Sequence, residues 1–124
     1  MGFTDPDAPL PVITGTSGND KLIGTLAAEE IQDLAGADAL FGRGGADQFV
    51  LSADSATDRI KDFQDGSDVI DVSAWGATSL GDLTLVQHKP GRVLITHGDE
   101  TLFVNNSNLT LSTGDLTADD FIFA

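Results

Sequence analysis

The chain contains no cysteine, so neither a disulfide framework nor a thiolate metal site is available to it. Only 6 of its 124 residues are lysine or arginine, against 20 aspartates and glutamates, which gives a net charge of -14. This balance argues against binding to nucleic acid or to an anionic membrane, because both require basic patches. A small domain without disulfides often needs another stabilising element, and a bound cation would also neutralise the acids.

Long apolar runs are missing as well, so we expect no membrane insertion. The opening residues Met1–Thr4 lack the basic and apolar regions of a signal peptide. Most of the 4 prolines lie near the start, at Pro6, Pro9 and Pro11. Proline disfavours both helix and strand pairing, so we predict an extended lead-in over residues 1–12, of the kind that links to a larger parent protein.

What the chain does contain is a nine-residue repeat, with four rows in register at 15–23, 24–32, 33–41 and 42–50. The sixth position of every row is acidic and the eighth is large and apolar, while glycine recurs at the first and fourth. Internal repeats of this kind predict a solenoid in which each row stacks on its neighbours. The sixth-position residues are Asp20, Glu29, Asp38 and Asp47, and the eighth-position residues are Leu22, Ile31, Leu40 and Phe49.

Each row divides into a six-residue turn and a three-residue strand. Glycines allow the turn to direct backbone carbonyls inward, and the sixth-position carboxylate adds a charged oxygen. Ca²⁺ takes about six to eight oxygen ligands, so the pattern favours calcium. For a single row, ordinary glycine and aspartate turns would explain the residues equally well, but four rows in register favour the repeat.

Successive strands are expected to alternate between two sheets, which places rows one and three on one edge and rows two and four on the other. Each ion would then lie between turns two rows apart, with Asp20 opposite Asp38 and Glu29 opposite Asp47. Row two carries Ala27 in place of glycine and the longer Glu29 in place of aspartate. We therefore predict a well-formed Asp20–Asp38 site and a Glu29–Asp47 site that is weak, altered or empty.

Beyond residue 50 the period stops and further strands are predicted, including Arg59–Phe63 and Val69–Val72, with turns at Asp65-Gly66, Pro90-Gly91 and Gly98-Asp99. The Pro90-Gly91 turn suits type II geometry, because glycine can take the positive φ. Helix signals are weak throughout.

The rows resemble the RTX (hemolysin-type) nonapeptide G-G-x-G-x-D-x-U-x, where U is large and apolar. The segments Gly45–Val50, Asp58–Phe63 and Gly66–Ser73 look like the C-terminal domain of serralysin-type secreted proteases, and similar segments recur in repeat modules of mannuronan C5-epimerases. The resemblance implies an all-β fold: a short parallel β-roll at 13–50, capped by an antiparallel β segment at 51–124. The end of the chain, 116–124, resembles the signal of type I-secreted proteins.

The resemblance also implies one to three Ca²⁺ ions in the turns, with Asp58 helping to close the last site. Departures from the family pattern are Asp33 at a first position and Thr16, Thr25, Leu34 and Arg43 at second positions. The implied partners are calcium ions, the type I secretion apparatus, and either an upstream catalytic domain or a polysaccharide, in a secreted, extracellular protein. The residues assigned to calcium are Gly15, Ser17, Gly18, Asp20, Glu29, Asp33, Gly36, Asp38, Gly42, Gly44, Gly45, Asp47 and Asp58.

Other chemistry is poorly supported by the sequence. The stretch Asp62–Asp68 lacks the ligand order of an EF-hand loop and is better interpreted as a hairpin turn with solvated acids. His88 and His97 are expected opposite Val93 and Thr84 rather than opposite each other, which favours surface histidines over zinc ligands. Trp75 is more typical of a core or cap residue than of a sugar platform. No catalytic motif can be assembled, so we expect a module that is not itself an enzyme.

Overall fold

The structure, a computed structural model, describes residues 10–124. Within this range the chain forms short strands joined by turns and single 3₁₀ turns, and no α-helix occurs there. No helix in the described range is long and apolar enough to cross a bilayer. The strands are β1 (Val12–Thr14), β2 (Lys21–Ile23), β3 (Glu30–Gln32), β4 (Ala39–Phe41), β5 (Gln48–Val50), β6 (Thr57–Ile60), β7 (Val69–Asp71), β8 (Thr84–Lys89), β9 (Arg92–His97), β10 (Glu100–Asn105) and β11 (Phe121–Ile122). The 3₁₀ turns are Ser73–Trp75, Leu80–Asp82, Thr113–Asp115 and Ala118–Asp120.

The strands alternate between two sheets, as the nine-residue period predicts. One sheet has five strands in the order β1-β3-β5-β7-β11, and the other has six in the order β2-β4-β6-β10-β9-β8. Pairing between the repeat strands is parallel, with Leu22 beside Leu40 and Ile31 beside Phe49. The prediction of a parallel β-roll with a C-terminal antiparallel segment is therefore confirmed.

Both sheets continue past residue 50, where the nine-residue period stops. β6 pairs in parallel with β4, and β7 pairs in parallel with β5, so the turns 51–56 and 61–68 are further turns of the roll. The chain between stacked strands becomes longer here. In the early rows, hydrogen-bonded acids on one edge are 18 positions apart in the sequence. In the later rows the corresponding acids are 20 and 21 positions apart. The extra residues interrupt the nine-residue period in the sequence, but the roll continues.

The core lies between the two sheets and is built from the central residue of each three-residue strand, because alternate residues on a strand point to opposite faces. Ile31, Leu40 and Phe49 are fully buried, as predicted from the eighth position, and Leu22 is partly buried against them. Ile60 and Ile70 extend the same row of apolar side chains through β6 and β7.

The antiparallel segment joins the roll through β10, which pairs in parallel with β6 and antiparallel with β9. Gly91 has a φ of 79°, in agreement with the predicted turn. The predicted register around it was wrong: Gln87, not His88, pairs with Val93, since a β-bulge separates Gln87 from Lys89.

The predicted register of His97 was wrong for the same reason. Thr84 pairs with Thr96, while His97 pairs with Glu100 and its Nδ1 lies 3.0 Å from the carbonyl of Asp82. The two histidines are not cross-strand partners, as predicted. The interpretation of Trp75 as a core residue is confirmed, because its side chain is buried and its Nε1–H donates to the Ser52 carbonyl at 3.2 Å.

Both ends of the described chain are strands of the first sheet. β1 begins at Val12, the last residue of the predicted lead-in, and residues 1–9 of that lead-in lie outside the described residues. At the other end β11 pairs in parallel with β7, and Leu116 and Phe121 are buried. The C-terminal segment is thus packed into the roll.

Candidate metal centres

The turns of the roll stack into two columns, one on each side of the sheets. The first edge contains the turns 15–20, 33–38 and 51–56, and the second edge contains 24–29, 42–47 and 61–68. This arrangement confirms the predicted alternation of rows.

A ladder of carboxylates runs down each edge. On each edge, the second and third acids accept a hydrogen bond from the backbone N–H of the acid one turn earlier. Each bond fixes one oxygen of the accepting carboxylate between two successive turns. On the first edge, Asp20 donates to Asp38 Oδ1 at 2.6 Å and Asp38 to Asp58 Oδ1 at 2.9 Å; on the second, Glu29 donates to Asp47 Oδ1 at 3.0 Å and Asp47 to Asp68 Oδ1 at 2.9 Å.

The middle acid of each ladder has a buried oxygen without a partner. Asp38 and Asp47 are 2% and 1% exposed, and the Oδ2 atom of each lacks a hydrogen bond within the described structure. Burial raises the pKa of Asp47 to about 7, and the nearby charge of Asp68 adds to the rise. Burial likewise raises the pKa of Asp38 to about 6, although the N–H of Asp20 works against it. Such groups require either a proton or a cation.

The first acid on each edge is satisfied by its own turn. Asp20 Oδ2 accepts from the Thr16 N–H at 2.6 Å, and Glu29 Oε1 accepts from the Thr25 N–H at 2.8 Å. The Thr25 hydroxyl also donates to Glu29 Oε2 at 2.6 Å. The two threonines at second positions therefore hold the carboxylates of the first turn on each edge.

Stacking of the turns explains where the fourth position must be glycine. Gly36 and Gly45 have φ values of 91° and 78°, and a Cβ at either would lie within 2.7 Å of backbone atoms in the turn before it on the same edge. Ala27 occupies the first turn of its edge, so no earlier turn among the described residues lies against it. The alanine is compatible with the close stacking, although the predicted weakness of the Glu29–Asp47 site stays a prediction.

A third group of carboxylates lies at the first edge, near the junction with the antiparallel segment. Asp33, Asp54 and Asp58 each place an oxygen within 4.8 Å of the others. Asp33 is fully buried and Asp58 is 2% exposed. Burial, followed by the close contact with the Asp58 carboxyl group, raises the pKa of Asp33 to about 9. Burial also raises the pKa of Asp58.

The structure distributes the predicted ligands over the two edges in unequal numbers. Each edge combines turn glycines with buried acids, and their roles as ligands stay a prediction. The first edge holds Gly15, Ser17, Gly18, Asp20, Asp33, Gly36, Asp38 and Asp58, and the second holds Glu29, Gly42, Gly44, Gly45 and Asp47.

Several acids at these edges were missed. Asp68 is 1% exposed and accepts from the N–H groups of Asp47 and Gln64, so the interpretation of this stretch as a hairpin turn with solvated acids was wrong. Asp62 accepts from the backbone N–H of Gly42. A signal was present: an acid two residues before a buried apolar strand residue recurs at Asp58 and Asp68, as in the four rows. No comparable signal marked Asp54.

Comparison with known proteins agrees with this geometry. The sequence model of the family described as Peptidase M10 serralysin C terminal matches residues 11–124. No curated protein matches the chain. Among solved structures, the AlgE6R3 subunit of the Azotobacter vinelandii mannuronan C5-epimerase is 27% identical, with a TM-score of 0.53 over 98% of this chain and 87% of that one. The AlgE6R2 subunit of the same enzyme is 24% identical, with a TM-score of 0.43 over 97% of both chains. The chain belongs to the serralysin C-terminal family, and its fold is an RTX-type β-roll.

Proposed function

We propose that the chain binds Ca²⁺ between the stacked turns of both edges and that this binding drives its folding. The observation that carries the proposal is the pair of buried, unpartnered oxygens at Asp38 Oδ2 and Asp47 Oδ2. Each lies in a ladder of carboxylates beside turns rich in backbone carbonyls. The available donors are all oxygens, which suits a hard cation of this size and excludes the thiolate sites of softer metals.

Electrostatics supports the coupling of binding to folding. The stacked turns bring acids together, and two carboxylates about 5 Å apart repel by roughly 3 kcal/mol at an effective dielectric near 20. A bound divalent cation reverses the sign of this interaction, so its binding free energy contributes to folding. Extracellular calcium modules work at roughly 10⁻⁴–10⁻³ M, so the chain would stay loosely folded at cytosolic calcium and fold outside the cell.

Isothermal titration of the full chain tests the calcium proposal. We expect Ca²⁺ to bind at sub-millimolar to millimolar concentration and Mg²⁺ to bind far more weakly, because Mg²⁺ gives up its waters reluctantly. Asp47→Asn should weaken the binding of at least one ion by about tenfold or more. The matched control is Asp99→Asn, which removes the same charge from an exposed turn and should leave the isotherm unchanged. Equal effects of the two variants would contradict the proposal.

We further propose that residues 116–124 carry a type I secretion signal. The segment is acidic and then apolar at its end, and its strand β11 pairs with β7, so a loosely folded chain would leave the segment accessible. Secretion from a host with a type I exporter tests this. The full chain should reach the medium and a variant ending at residue 115 should not; equal export would refute the signal.

A second candidate function is favoured by the outer face of the six-stranded sheet. Lys21 Nζ lies 5.4 Å from the ring centroid of Phe41, and the guanidinium groups of Arg59 and Arg92 each lie 5.7 Å from the ring centroid of Phe103. We call these five residues the basic stripe. It gathers half of the 6 bases of a chain whose net charge is -14. A face of this chemistry suits an acidic polysaccharide, which would position an attached enzyme.

A gel-shift assay with a soluble polyuronate in saturating Ca²⁺ tests the basic stripe. Arg59→Gln should lower the affinity and its dependence on salt, because the cation is lost from the proposed contact. Lys89→Gln removes the same charge from an exposed position outside the stripe and should have little effect. If neither variant changes the shift, or if the wild-type chain shows none, the chain does not use this face for polysaccharide.

A further inference from the structure

We propose that Asp33, Asp54 and Asp58 form a separate cation site made of side chains, which fastens turn 51–56 and β10 to the roll. The inference rests on the proposed function for the kind of ion, but this site is separate from the ion sites proposed along the two ladders. The repeat pattern has glycine where Asp33 stands, and Asp54 lies in a turn outside the nine-residue register. Neither carboxylate is therefore explained by the ladders that run along the edges.

Two oxygens of this group are buried without a partner. Asp33 Oδ1 accepts from the Ser52 N–H at 2.9 Å, and Asp54 Oδ1 accepts from the Ala56 N–H at 3.0 Å. The Oδ2 atoms of both residues lack any hydrogen bond within the described structure. Asp33 is fully buried, so its Oδ2 atom is not exposed to bulk solvent. Each backbone bond fixes one oxygen, and both residues have an oxygen within 4.8 Å of the neighbouring carboxylates.

The third member is positioned by the ladder. Asp58 Oδ1 accepts from the Asp38 N–H at 2.9 Å, which holds its carboxyl group beside Asp33. The three carboxylates together carry up to three negative charges in a largely buried space, and a cation would satisfy them at once. A trivalent ion should be held more strongly than a divalent one, because its attraction to each carboxylate is larger.

Glu100 connects this site to the antiparallel segment. Its Oε1 accepts from the N–H groups of Asp54 and Ser55 at 3.2 and 3.0 Å, and Ser55 takes the strained φ of 58°. Glu100 is the first residue of β10, and β10 pairs with β6 across Asp58 itself, which lies opposite Leu102. An ion at the three aspartates would therefore hold turn 51–56 between the roll and the antiparallel segment.

The only tryptophan of the chain provides a reporter at the site. Trp75 Nε1–H donates to the Ser52 carbonyl at 3.2 Å, and the N–H of the same Ser52 donates to Asp33. Energy transfer from an excited indole to bound Tb³⁺ falls steeply with distance. Emission sensitised by Trp75 should therefore report on this site in preference to the second edge.

The test is a Tb³⁺ titration of the full chain with excitation of Trp75. The wild-type chain should show saturable emission, and Asp54→Asn should weaken Tb³⁺ binding by about tenfold or more. Asp33→Gly, which restores the residue of the repeat pattern, should do the same while circular dichroism in Ca²⁺ still shows a folded roll. Asp99→Asn is the matched control and should leave the emission unchanged.

Wild-type emission and affinity in both Asp54→Asn and Asp33→Gly would overturn the site. So would a wild-type chain that folds in Ca²⁺ but shows no sensitised emission. The two proposals fail separately: absence of calcium binding in the isothermal titration refutes the proposed function, whereas unchanged emission in the variants refutes only this site.

Discussion

Replacing Gly45 by alanine is expected to prevent the roll from closing at calcium concentrations that fold the wild-type chain. The new Cβ would lie 2.4 Å from the carbonyl carbon of Ala27 and 2.5 Å from the nitrogen of Ala28. Both are backbone atoms of the turn stacked beneath, so the turns must move apart. Overpacking costs about 1–3 kcal/mol and the left-handed φ of 78° adds about 1–2 kcal/mol.

Gly66→Ala is the matched control for this variant. Gly66 has a φ of 86°, close to that of Gly45, but a Cβ there would meet nothing within 4 Å. Only the backbone cost of about 1–2 kcal/mol should appear. Calcium titration followed by circular dichroism measures both. If the two variants shift the folding midpoint equally, close stacking of the turns is not what makes glycine necessary at this position.

In the absence of calcium, acid is expected to stabilise the chain. The pKa values of Asp38, Asp47 and Asp33 rise from an ordinary 3.8 to about 6, 7 and 9 through burial. Between those limits the folded chain binds more protons than the unfolded chain, so stability falls as the pH rises. The loss should begin near pH 4 and continue to about pH 9. Far-UV circular dichroism in chelator at pH 4.5 and pH 8 measures it, and more β structure is expected at the lower pH.

Calcium should reverse this trend. Protons compete with the ion for the same carboxylates, so affinity for Ca²⁺ should increase with pH and binding should release protons. Asp47→Asn provides the control. In chelator, the variant should lose less stability than the wild-type chain between pH 4 and 7. In calcium, the variant should be less stable than the wild-type chain. If the stability of the chain in chelator rises with pH, the account of the buried carboxylates is contradicted.

Much of the roll could be predicted from the sequence, because equivalent positions of alternate rows contact each other in the structure. Asp20 and Asp38 occur at the same position of alternate rows, and the structure joins them by a hydrogen bond. Similarly, the apolar eighth position marks the buried centre of each strand, as at Leu40 and Phe49. Periodicity predicts these features because the four rows have the same length, so stacking places equivalent residues side by side.

The features that were missed lie where the rows change length or meet another element. Asp68 takes the same place in its ladder as Asp47, but the longer turn before it hides the register. The bulge at His88 shifts the antiparallel pairing by one residue, and nothing in the local sequence signals it. Asp54 approaches Asp33 only because turn 51–56 stacks on turn 33–38, a contact made by the fold after the period has stopped.

The most direct test of the account is far-UV circular dichroism of the full chain in chelator and in millimolar Ca²⁺ at neutral pH. The buried, unpartnered carboxylates predict little β signal in chelator and a cooperative gain of β structure as calcium is added, with no comparable gain in Mg²⁺. An identical β signal with and without calcium would show that the roll closes without the ion and would contradict the central claim.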